Sequence, residues 1–170
     1  MPNLDWETKR KINPDTYVIF SLGSSEFAVS VNVVKEILRL VELTALPELP
    51  LSVEGVINLR GEIIPIIDLK QRFLLGKVSQ NVYTRIVVVK MQTLVAGLLV
   101  EQVSEVSRIP KEDVSLPSRE ALGIDLRYIS GIGKIGERIV IILEPAQIFS
   151  QFELTEINKS YRELNPPQAT

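Results

Sequence analysis

Residues 55–68, Gly55-Val-Ile-Asn-Leu-Arg-Gly-Glu-Ile-Ile-Pro-Ile-Ile-Asp68, set two apolar, β-branched arms around Arg60-Gly61-Glu62. A glycine-bearing break between two such runs reads as a β-hairpin. Pro65 has no amide proton, so its strand is expected at an edge or a bulge. The same stretch lies over residues 131–144 without a gap, and the two end in Ile-Ile-Asp and Ile-Leu-Glu. Upstream, Ala28-Val-Ser-Val-Asn-Val-Val-Lys-Glu-Ile37 lies over Gly97-Leu-Leu-Val-Glu-Gln-Val-Ser-Glu-Val106, with Val31 over Val100 and Glu36 over Glu105. Each half therefore reads as hairpin, short connection, hairpin. The economical expectation is a mainly β chain of two barrel-like units, roughly 65 residues each, packed together because neither has much core alone.

Around this frame, residues 17–22 and 27–31 read as a hairpin about Gly23-Ser24-Ser25, and 84–90 and 94–100 as another about Gln92-Thr93. Val33, Val34, Ile37 and Leu38 follow helical spacing and predict a helical turn over 32–38. Residues 69–75 predict a short helix stopped by Gly76, and Pro145, suited to a first helical position, opens one predicted over 145–153. The expected organisation is a lead-in over 1–14, barrel halves over 15–80 and 81–144, the helix, and a flexible tail over 154–170.

The composition closes off several functions. Nineteen basic residues against twenty-one acidic ones, a net charge of −2 in 170 residues, argue against a nucleic-acid binder. Cysteine and histidine are both absent, which removes disulfides, thiolate sites and the commonest general base and metal ligand. No apolar run reaches the roughly 20 residues of a membrane helix, and the start has no signal-peptide core, so the expected compartment is the cytoplasm. Gly131-Ile-Gly-Lys-Ile-Gly136 matches the dinucleotide fingerprint letter for letter. A β-branched strand follows it instead of a helix, so it reads as a glycine-rich hairpin. Glu36, Glu54, Glu62, Asp68, Glu101 and Glu105 are scattered and read as solvated surface charge rather than as an acid–base pair. No catalytic, cofactor-binding or metal site is expected. Apolar surplus remains at residues 31–38, which reads either as core or as a groove for a partner helix. Glu36 and Arg60 are opposite charges that could pair.

The stretch Gly55-Val-Ile-Asn-Leu-Arg-Gly, with Gly97-Leu-Leu-Val-Glu-Gln-Val-Ser-Glu-Val106 and Tyr128-Ile-Ser-Gly-Ile-Gly, resembles the CheW family of bacterial chemotaxis coupling proteins, from about Thr16 to Phe152. The resemblance implies two packed five-stranded SH3-like barrels with short helices. It also implies a non-catalytic adaptor linking a CheA-type histidine kinase to the helical hairpin at the cytoplasmic tip of chemoreceptors. Such an adaptor would be recruited to membrane-associated arrays without inserting into the bilayer. Residue by residue, the resemblance implies a charged pair at Glu36 and Arg60 beside an apolar receptor groove of Val31, Val34 and Ile37. Gly97, Val103 and Val106 match positions tied to kinase or receptor coupling. The same coupling role in a pilus-motility or other chemosensory pathway is the alternative.

Overall fold

The computed structural model describes residues 15–45, 53–91, 94–117, 124–148, 155–156, 159 and 162–167. Eleven strands are present among them: β1 (Thr16–Leu22), β2 (Ser25–Ser30), β3 (Val34–Arg39), β4 (Val53–Leu59), β5 (Glu62–Asp68), β6 (Arg85–Met91), β7 (Leu94–Val100), β8 (Gln102–Arg108), β9 (Val114–Ser115), β10 (Ile129–Ile135) and β11 (Arg138–Leu143). One helix of four residues, α1 (Leu69–Arg72), follows β5. Three hairpins turn where the sequence expects them, with Gly23, Gly61 and Gly136 at φ of +62°, +88° and +63°; the turn expected at Gln92-Thr93 lies outside the described residues.

The strands form a six-stranded sheet in the order β8-β1-β2-β11-β10-β9 and a five-stranded sheet in the order β3-β6-β7-β5-β4. The sheets are not the consecutive halves 15–80 and 81–144. The first two strands of each repeat pair with the later strands of the other. Four pairings join the repeats: β1 with β8 and β3 with β6, both antiparallel, and two parallel pairings with matching register, Ile66↔Gly97 in one sheet and Ile142↔Ala28 in the other. The repeat is thus real at the level of residue pairs, and its strands are exchanged. Buried residues of both sheets merge into one principal core, including Val18, Phe20, Phe27, Ile66, Val87, Leu98 and Ile141. Phe20, Phe27, Phe73 and Tyr128 stack in series through it, at centroid separations of 6.1, 5.8 and 5.4 Å.

Three expectations are corrected. Residues 34–39 are a strand and not a helical turn. A bulge between Val34 and Glu36 shifts the register against β6, so two inward positions fall three residues apart and imitate helical spacing, while the β-branched residues favour extended backbone. The helix after β5 is shorter than expected, and its left-handed closing residue is Leu74 (φ +61°), ahead of Gly76. Leu75 N donates to Lys70 O at 2.8 Å and Leu74 N to Gln71 O at 3.1 Å, a Schellman closure. Leu74 is 92 % exposed, so its side chain returns little for a strained backbone; Leu74→Gly is expected to stabilise the chain by about 1 kcal/mol, read as a higher melting temperature. Finally, the helix expected over 145–153 shows a 3-10 turn at Pro145–Gln147, with 149–153 outside the described residues. In the tail, residues 155, 156, 159 and 162–164 are helical.

Candidate functional site

The five-stranded sheet has β3 and β4 as its outer strands. The chain beyond β3 brings them together: Thr44 and Val56 exchange two backbone hydrogen bonds of 2.9 Å. Glu36 projects from β3, and Arg60 occupies the first position of the two-residue turn between β4 and β5. Their side chains meet fork to fork, Arg60 Nη1 donating to Glu36 Oε2 at 2.5 Å and Nη2 to Oε1 at 2.8 Å. The turn is pinned by Gly61 N donating to Asn58 Oδ1 at 2.8 Å. The Arg60 hydrogen bonds hold the Glu36 carboxyl below the ordinary glutamate range against a partial burial that pushes it up.

Two features mark this pair as more than closure. The Arg60 side chain is 71 % exposed, and exposed ion pairs contribute little to stability. Arg60 also carries φ +52°, a left-handed conformation that favours glycine. A strained position thus holds a charged donor over open surface, the pattern expected where side-chain chemistry rather than folding sets the residue.

The apolar residues expected beside the pair divide. Ile37 is half-buried and packs against the principal core with one side. Val31 and Val34 are fully buried, so they are core and do not line a groove. Val31 N closes the β1–β2 ladder on Thr16 O at 3.0 Å, and Val34 opens β3 against Val89. Gly97 is also interior: a Cβ there would lie 2.6 Å from both Ile66 Cδ1 and Ile86 Cγ2. It is a packing position in the parallel joint, with no surface for a partner. Val103 and Val106 are half-buried on β8, the outer strand of the six-stranded sheet, opposite Phe20 and Val18. The structure brings Glu36 and Arg60 together, sets Ile37 next to Glu36 along β3 with its packing toward the core, and leaves Val103 and Val106 on the other sheet.

Two ionic clusters escaped the sequence reading. Arg138 donates to Glu26 through Nε (2.9 Å) and Nη2 (2.8 Å) and pairs with Glu105 through Nη1 at 2.7 Å. This is the second-repeat counterpart of Glu36–Arg60, because Glu105 overlays Glu36. It was hidden because the gapless overlay sets Arg60 against Gly136, two residues before the arginine that does the pairing. Glu101 is the other. Read as surface charge, it is nearly enclosed and accepts from Gly23 N (2.5 Å), Ser79 N (2.8 Å) and Lys70 Nζ (3.2 Å), joining the β1–β2 turn, the segment after α1 and the β7–β8 corner. Asp68 is interior as well; it caps α1 through Gln71 N and accepts from Val78 N, both at 3.0 Å.

The glycine motif lies in the β10–β11 hairpin. A Cβ at Gly131 would collide with Val114 and one at Gly133 would crowd Ile109, while Gly136 makes the turn. No helix follows to present a dipole to a phosphate. Among the described residues there is no group of three or more acidic side chains placed to hold a metal, and no helix is long and apolar enough to cross a membrane.

Comparison with known proteins falls on the same span. The CheW-like domain model matches residues 16–153. The chain is 31 % identical over 142 residues to the chemotaxis protein CheW of Klebsiella aerogenes, covering 84 % of this chain and 86 % of that one. It is 34 % identical over 135 residues to CheW of Helicobacter pylori, covering 79 % and 81 %. The crystal structure of the scaffolding protein TtCheW from Thermoanaerobacter tengcongensis superposes with a TM-score of 0.75 at 36 % identity, over 82 % of this chain and 90 % of that one.

Proposed function

The chain belongs to the CheW-like family of chemotaxis scaffold proteins, and from that premise we propose that it is the non-catalytic adaptor that couples a CheA-type histidine kinase to the cytoplasmic tips of chemoreceptors. The observation that carries the proposal is the bidentate Glu36–Arg60 pair, held on an exposed, strained turn beside half-buried Ile37. A helical hairpin laid across this face would bury Ile37 further for affinity, while the charged pair fixes its orientation. The contact class is roughly 800 Å² per partner.

The kinase takes the other sheet in this reading, with Val103 and Val106 of β8 at the contact. The principal core draws on both sheets, and on this reading receptor state reaches the kinase only through differential binding of the two receptor conformations. Val106→Asp is expected to weaken kinase association more than receptor association in parallel binding assays; the reverse order would exchange the two faces.

Co-sedimentation with receptor-containing membranes and purified kinase tests the whole reading. Kinase is expected in the pellet only when this chain is present. A chain that pellets with neither partner would overturn the coupling role.

A further inference from the structure

Pro65 has a consequence for the hairpin that carries Arg60. The parallel pairing of β5 with β7 spans Ile66↔Gly97 to Asp68↔Leu99 and goes no nearer the turn, because residue 65 has no N–H to offer β7. In the second repeat the overlaid position is Ile141, and the matching seam runs on to Val140↔Glu26. On the β7 side of β5, Ile63 is therefore left without a strand partner. Its N–H and C=O are taken up by one side chain from the far end of the sequence: Ile63 N donates to Asn165 Oδ1 and Asn165 Nδ2 donates to Ile63 O, both at 2.6 Å. A carboxamide offers the same donor and acceptor as a peptide unit, so Asn165 stands where one residue of a third strand would stand. Ile139, the overlaid residue in the second repeat, has no such cover among the described residues and is 58 % exposed, whereas Ile63 is half-buried.

A two-stranded ribbon is marginal in water unless a third strand or a packed element supports it. The outer part of the β4–β5 hairpin is such a ribbon. We infer that Asn165 is a positioning residue for the adaptor face: the C-terminal segment docks on β5 as a surrogate third strand and holds the turn so that Arg60 meets Glu36 and the partner. The binding part of this inference rests on the receptor-coupling reading above.

The test is Asn165→Ala in the full chain, with Asn165→Asp as a second variant that keeps the acceptor for Ile63 N–H and loses the donor to Ile63 O. Amide exchange at Ile63 is expected to quicken at least about tenfold in Asn165→Ala, and less in Asn165→Asp. The Glu36 carboxyl, followed by NMR, should titrate nearer the ordinary glutamate value of 4.5 as Arg60 becomes mobile. Affinity for a soluble receptor cytoplasmic fragment should fall about fivefold, the effect of one net hydrogen bond, and should fall no further when Asn165→Ala is added to Arg60→Ala. Unchanged Ile63 exchange or unchanged Glu36 titration overturns the inference, as do additive losses in the double variant. If the parent chain binds no receptor fragment, the coupling reading fails, and the Ile63 and Glu36 measurements still decide the role of Asn165.

Discussion

Arg60→Glu is expected to lower affinity for the receptor cytoplasmic fragment by about a hundredfold or more, while the chain melts within a few degrees of its parent. The new carboxylate would stand where two guanidinium nitrogens now lie 2.5 and 2.8 Å from the Glu36 oxygens. The pair becomes a repulsion, and the partner meets two negative charges in place of a neutral fork. The fold is spared because Arg60 is outside the core and glutamate is no more strained than arginine at φ +52°. Combining it with Glu36→Arg restores an opposite pair and should recover part of the affinity. Arg60→Gly separates the two roles of the position: it relaxes the turn, holding or raising the melting temperature, and still loses binding. Calorimetric titration with thermal melts of all four chains checks this, and retained affinity in Arg60→Glu would remove the face from the interface. Because the Glu36 carboxyl titrates below 4.5 in the folded chain, the pair persists above that pH and is lost as pH falls through the lowered value. Binding should be pH-independent near neutrality on this account.

Glu101→Ala is expected to cost about 3 kcal/mol of stability, or roughly 6–12 °C in melting temperature for a chain of this size. It strands three donors at once, the amides of Gly23 and Ser79 and the Lys70 ammonium, and leaves that ammonium, 19 % exposed, without its carboxylate. Burial pushes the Glu101 carboxyl up, but the Ser79 and Gly23 amides and Lys70 outweigh it, so the folded value lies below 4.5. A lowered carboxylate stabilises the fold above its unfolded value, and that contribution disappears as pH falls through the folded one. The parent should therefore lose stability below about pH 4.5, and Glu101→Gln should show a shallower acid slope. Equal slopes would place the acid sensitivity elsewhere.

What the sequence disclosed is local. The Arg60-Gly61 turn, the glycine turns and the overlay of 55–68 on 131–144 are written in adjacent residues, and the hairpins followed. The exchange of strands between repeats is carried by parallel pairings, β2 with β11 and β5 with β7, and by the antiparallel pairings of β1 with β8 and β3 with β6, whose partners lie far apart in the chain and leave no periodic trace. The bulge in β3 defeated its reading for a related reason: one inserted residue converts a period of two into a spacing that looks helical. For the site, the charged pair was legible as two opposite charges, and its fork geometry was not. Val31 and Val34 could be core or groove on composition alone, and only burial decides. Glu101 and Asn165 were invisible because their partners, Lys70 apart, are backbone amides and carbonyls, which every residue possesses and no sequence advertises.

The crossed arrangement of the two repeats also bears on how the molecule comes into being. The six-stranded sheet begins with residue 16 and lacks β10 and β11 until residue 143 has been made. On the ribosome, β1 and β2 must therefore wait with an open edge while nearly the whole chain is synthesised, and the five-stranded sheet closes first. Splitting the gene between the repeats would yield two fragments, each missing strands from both sheets, that can mature only by finding one another.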